Sequence, residues 1–127
     1  MSTLDFEIGP VEGTNTTVLK LVGDGAAANV STLEKAVTRV CAMRPHAVVL
    51  DLSGLTFIAS LCMGCFVALR RSIAAHGGTV RLAAPNEQVA TALSRAKLDA
   101  FIPTDATIES SFAAIADSTG VRSDFSS

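Results

Sequence analysis

The chain has 127 residues, 49% of them hydrophobic and 17% charged, enough apolar content for one folded domain and too much for a disordered one. It carries 10 Lys and Arg against 12 Asp and Glu, a formal net charge of −2, and neither Trp nor Tyr. That balance excludes a basic footprint for nucleic acid or anionic lipid, and it removes the usual platforms for stacking bases.

The opening MSTLDFEIGP has neither the basic nor the apolar segment of a secretion signal. With 3 cysteines, an odd number, no disulfide framework is expected, and a reducing cytoplasm is the default compartment. Leu4, Phe6 and Ile8 alternate with Asp5 and Glu7, the period of a half-buried strand. Gly9-Pro10 and Glu12-Gly13 signal a turn. Thr16 to Val22 is β-branched and apolar, a second strand paired with the first as a hairpin and ended by Gly23-Asp24-Gly25. Ser31-Thr32-Leu33-Glu34 fits a capping box, and Leu33, Ala36, Val37, Val40 and Cys41 follow with helical spacing. Cys41 on that stripe reads as a small core residue.

Ala47 to Leu52 is nearly all apolar, the mark of a strand covered on both faces and placed at the sheet centre. Asp51-Leu52-Ser53-Gly54 reads as the strand end and a turn, organised by the Asp side chain. A helix is expected from about Ser60 to Ala75, with Cys62, Cys65, Phe66, Leu69 and Ile73 on its buried stripe and His76-Gly77-Gly78 stopping it. Thr79 to Ala83 is the next strand, and Asn86 caps a helix carrying Val89, Ala92, Leu93 and Ala96. Phe101-Ile102-Pro103 reads as a short strand or its remnant, and Thr107 opens a last helix with Ile108, Phe112 and Ile115. From Asp117 onward small polar residues dominate, so one domain is expected over 1–117 and a flexible tail over 118–127. The order β-β-α-β-α-β-α-(β)-α implies an α/β fold. Its central mixed sheet has four to five strands, the first antiparallel and the rest mostly parallel, with about four helices.

No charge interrupts Leu52 to Leu69, a run close to the length of a membrane span. Ser53-Gly54, Thr56 and Ser60 inside it, with Asp51 at its edge, argue instead for a strand, a turn and a helix, and against membrane insertion.

Cys62-x-x-Cys65 at a helix start raises the alternative of a thiol redox or sensor protein, because a helix dipole can lower a thiol pKa. Both sulfurs fall on the buried stripe, however, where thiols are inert. Cys41, His46 and His76 lack the spacing of zinc ligands, so no metal or other cofactor is expected. Ser60 lies in no nucleophile elbow, and Gly23-Asp24-Gly25 matches no nucleotide fingerprint. Nothing in the chain calls for an enzyme.

The feature left over is the helix that starts at Ser60. Leu61, Met63, Gly64 and Val67 fall largely off its buried stripe and would form an apolar patch, covered either by a neighbouring element or by a partner. Gly64 would admit a close backbone, and Met63 is an adaptable contact residue. Ser60 itself is expected to cap the helix, a role worth about 1 kcal/mol.

Val48 to Gly64, VVLDLSGLTFIASLCMG, resembles the signature of STAS domains, the fold of bacterial anti-sigma factor antagonists. That pattern is a buried strand ending in D-L-S, an apolar F-[IM], and D-S-[ST]-G-[LIM]-G opening a helix. His76 to Leu82, HGGTVRL, resembles the family's helix end and following strand. The resemblance implies a cytoplasmic, non-enzymatic binding module that works by partner switching. Unmodified, such a module holds an anti-sigma factor or serine protein kinase; phosphorylation at the helix start releases it. It implies no nucleic-acid partner and leaves room for a weak homodimer. Residue by residue, the family's Asp is Ala59 here, its first Ser is Ser60, its commonest phospho-acceptor position is Leu61, and the next Gly is Cys62. Ser60 is thus the one phosphorylation candidate at this turn. The partner surface implied comprises Ala59, Ser60, Leu61, Met63, Gly64 and Val67 together with Asp24 in the adjacent Gly23–Asn29 loop.

Overall fold

The structure, a computed structural model, describes residues 3–119. Its five strands are β1 (Leu4–Pro10), β2 (Thr16–Gly25), β3 (Ala47–Ile58), β4 (Thr79–Ala83) and β5 (Thr104–Asp105). Its four α-helices are α1 (Val30–Met43), α2 (Ser60–Ala74), α3 (Glu87–Arg95) and α4 (Ile108–Thr119). The strands lie in chain order, β1-β2-β3-β4-β5, with β1 antiparallel to β2 and every other pair parallel. The expected α/β architecture, with β3 at the centre of a mixed sheet, is the one found.

Because the strand order never reverses, each right-handed crossover returns on the same side. Helices α1, α2 and α3 therefore share one face, where Leu33, Val40, Phe66, Leu69, Ile73 and Leu93 pack on Leu19, Leu21, Val48, Leu50 and Leu82. Helix α4 alone covers the other face, with Ile115 and Phe112 against Val49 and Ala83. An order without reversal also has no switch point, the crevice in which open α/β sheets bind nucleotides.

A half-buried, bidentate ion pair holds the far edge together. Arg81 of β4 donates to both carboxylate oxygens of Asp105 in β5, at 2.7 and 3.0 Å, and Ser111 of α4 donates to the same carboxylate at 2.7 Å. These bonds to the charged form hold the Asp105 carboxyl below its usual range, against the opposing effect of burial.

Several local expectations need correction. Strand β3 does not end at Leu52 but runs on to Ile58, and β2 runs on to Gly25. The register between them slips at Lys20/Val22 and again at Gly23/Asp24, so Ser53-Gly54 marks a bulge and not a turn. The Asp51 side chain does organise it, accepting from the Ser53 amide at 3.0 Å. Gly54 is needed for closeness: a Cβ there would sit 3.0 Å from the Val22 side chain and 3.1 Å from the Leu21 carbonyl. The capping box at Ser31 does not form. A 3-10 turn over Ala27–Asn29 winds the chain one turn earlier, so α1 already begins at Val30 and Ser31 lies inside it. Phe101-Ile102-Pro103 is no strand. A 3-10 turn over Leu98–Ala100 leads to a buried Ile102, and pairing starts at Thr104. Helix α4 reaches Thr119; the tail expected over 118–127 lies outside the described residues from 120 onward.

Candidate functional site

The C-terminal ends of β2 and β3 and the start of α2 meet at one corner. Asp24 pairs in register with Phe57 and Gly25 with Ile58. The Ala59 amide donates to the Gly25 carbonyl at 2.8 Å, tying the α2 entry to the end of β2. The Cys62 thiol donates to the Ala26 carbonyl at 3.5 Å, a second link to the same segment. The corner is therefore braced from beneath before any side chain reaches the surface.

Helix α2 begins one residue earlier than a capping serine would place it. The cap position is Ala59, in extended conformation, and no side chain caps the helix. Ser60 is the first helical residue, exposed, and its hydroxyl has no partner among the described residues, so the expected capping role is absent. The Ala59 carbonyl accepts from the amides of Cys62 and Met63 at 3.0 and 3.1 Å. By contrast Asn86, expected as the cap of α3, does cap it: its Oδ1 accepts from the Val89 amide at 2.7 Å while its Nδ2 donates to the Leu55 carbonyl at 3.1 Å. That second bond fixes the start of α3 beside the corner.

The buried stripe of α2 holds Cys62, Cys65, Phe66, Leu69 and Ile73, all as expected. Burial pushes the thiols of Cys62 and Cys65 up from their usual pKa; Asp24 adds to the effect on Cys62, and Cys62 and Glu34 add to that on Cys65. A redox thiol needs the opposite shift. Among the described residues no cluster of three His, Cys, Asp or Glu could hold a metal ion.

The outer face of α2 divides the expected patch. Leu61 is 57% exposed and Gly64 is open, with nothing within 4 Å of where its Cβ would stand. Val67 is half-buried. Met63 is a correction: it is only 8% exposed and belongs to the core. It forms part of the floor of a groove of about 800 Å³ running between Phe57, Ser60 and helix α3, whose far wall carries Glu87, Thr91 and Arg95. A lysine at Met63 would disrupt that packing and not merely the surface. Asp24 is half-buried. Its carbonyl accepts from Asn29 Nδ2 at 2.8 Å, and its Oδ1 is sealed in with no hydrogen bond among the described residues.

One apolar residue missing from the expected patch adjoins it: Phe57, 42% exposed, which lines the groove with Ser60, whereas Val22, 40% exposed, is paired with Asp5 on the opposite sheet face. The sequence held no signal for Phe57, because the bulge that re-aims the end of β3 shows only in its pairing with β2.

The STAS domain profile matches residues 9–111 of this sequence. The chain belongs to the STAS domain family. Among solved structures, an anti-sigma factor antagonist from Mycobacterium paratuberculosis superposes with a TM-score of 0.80 at 21% identity, covering 88% of this chain and 93% of that one. A putative anti-sigma factor antagonist from Thermotoga maritima gives 0.72 at 25% identity, covering 87% and 93%. The anti-sigma factor antagonist SpoIIAA in its unphosphorylated form gives 0.72 at 21% identity, covering 91% and 97%. No curated protein matches the sequence significantly. The STAS profile thus spans the end of β1 through the first turn of α4 and includes the whole corner. Among the described residues no helix is long and apolar enough to cross a membrane; the uncharged run from Leu52 to Leu69 splits between β3 and α2.

Proposed function

We infer that this STAS domain is a regulatory binding module of the anti-sigma factor antagonist kind, which docks its β3–α2 corner onto an anti-sigma factor or serine protein kinase in the cytoplasm and catalyses no reaction itself. One observation carries the reading. Leu61 stands 57% exposed beside an uncrowded Gly64, and no contact among the described residues explains either residue. An exposed leucine next to a glycine costs the isolated domain solubility and helix stability. Both costs are recovered when a partner's backbone closes on that turn. Phe57 extends the apolar area toward the end of β3, where its neighbour in register is Asp24.

Leucine at position 61 cannot accept phosphate, so a switch at this turn would have to act through Ser60. The hydroxyl of Ser60 is exposed and bound to nothing among the described residues, which leaves it accessible to a kinase. A phosphate there would add nearly two charges inside the apolar patch and oppose docking. It would also lie at the helix N-terminus, where amides favour an anion and the fold tolerates it.

The test is Leu61→Glu against the anti-sigma factors and serine kinases of the same cell, read by calorimetry. The reading requires one of them to bind the native chain and the variant to lose that binding with an unchanged Tm. Binding that survives Leu61→Glu refutes it.

A further inference from the structure

At the opposite end of the sheet lies a second cavity that the corner does not use. It has a volume of about 490 Å³ and sits between the β1–β2 loop, the residue preceding β3, and helix α4. Val11 of the loop and Phe112, Ile115 and Ala116 of α4 make its apolar walls, and Asn15 and His46 stand beside them. Small-molecule sites run from about 300 to 1,000 Å³, mostly apolar with a few convergent polar groups. This cavity meets that description in size and in lining.

Its wall is built in advance. The Val11 amide donates to the Thr16 carbonyl at 2.8 Å, and the Thr14 hydroxyl donates to the Val11 carbonyl at 2.8 Å while accepting from the Thr16 amide at 3.1 Å. The Asn15 carbonyl accepts from the amides of His46 and Ala47 at 3.0 and 3.2 Å, which pins the loop to the start of β3. The opposite wall is fixed through Ser111, whose hydroxyl donates to Asp105 at 2.7 Å and holds α4 on the sheet. The loop's own bonds consume the Thr14 hydroxyl. The Asn15 amide and the His46 imidazole have no hydrogen-bond partner among the described residues, and both are exposed.

We propose that this cavity binds a small amphiphile, an apolar chain or ring bearing one carboxylate head. The apolar body lies between Val11, Phe112 and Ile115, and the head takes hydrogen bonds from the Asn15 amide and the His46 imidazole at the mouth. Nothing in this site depends on the corner, so the module would carry a ligand-binding function separate from partner docking.

The probe is decanoate, kept below its micellar concentration and titrated into the full chain with methyl groups followed by NMR. Expected are saturable shifts at the Val11 and Ile115 methyls, no shift at the Met63 methyl of the other groove, and a Tm that rises with decanoate. Ala116→Phe, which fills the cavity, should abolish the shifts at Ile115 and the rise in Tm. Val11→Trp fills it from the loop side and serves if the first variant does not fold. His46→Ala should weaken decanoate by several-fold and leave decanol unaffected. No saturable response at millimolar decanoate overturns the proposal. Equal binding by native protein and both filled variants overturns it too.

Discussion

Gly64 lies in the second turn of α2, at a position where alanine would be the better helix former by about 1 kcal/mol. The gain is seldom realised in full, because an added methyl usually meets something. Here it meets nothing beyond its own helix backbone and chain neighbours: among the described residues no other atom lies within 4 Å of the Cβ position, and the residue faces solvent. Gly64→Ala should therefore stabilise the isolated domain by about 0.8–1 kcal/mol, all of it from lost freedom in the unfolded chain. For a domain of this size that is a Tm rise of about 4 °C by calorimetry. The same methyl should weaken partner binding, and Gly64→Gln should weaken it further while still stabilising the fold. Opposite signs in the two assays are what a glycine kept for an outside contact requires. A Tm that falls in Gly64→Ala, or partner binding indifferent to Gly64→Gln, refutes the reasoning.

Three further outcomes follow from the geometry. Ser60→Ala should change stability by less than about 0.5 kcal/mol, because no capping bond is lost, whereas Asn86→Ala should cost about 1 kcal/mol or more in chemical denaturation, because Oδ1 caps α3 and Nδ2 holds the Leu55 carbonyl. Asp105 is held below its usual pKa by Arg81, so its contribution is complete above the unfolded carboxylate value of about 3.9 and is lost as pH falls through the folded value. Acid denaturation curves should show that loss in the native chain and a shallower acid limb in Asp105→Asn. Alkylation of the folded protein, followed by mass spectrometry, should label half-buried Cys41 first and leave Cys62 and Cys65 unmodified until unfolding.

The frame of the fold was legible because its signals are local and redundant. In Thr79–Ala83 the residues Val80 and Leu82 face the three-helix core while Ala83 packs under α4, and β4 has those bounds. The stripe from Cys62 to Ile73 has one period and one buried face. Errors came where a tertiary neighbour decides. Ser53-Gly54 has turn composition, yet the glycine serves the close approach of β2, which only the paired strand reveals. Ser31 and Ser60 are both good caps by type, and both lie one or more residues inside their helices because the chain enters each from a segment already bonded to its neighbours. Met63 was assigned to the surface from α2 alone. Helix α3, brought alongside by the Asn86–Leu55 bond, closes over it. The site therefore shifted outward, from Met63 to Leu61, Gly64 and Phe57, while staying on the same turn.

Amide hydrogen exchange on the domain in complex with the proposed partner, an anti-sigma factor or serine kinase, would locate the contact directly. The docking account predicts new protection in the first two turns of α2 and across 23–29, with the β1–β2 loop unchanged. Protection gathered on the sheet face that carries Asp5, Glu7 and Lys20, with α2 exchanging as it does in the free protein, would contradict it.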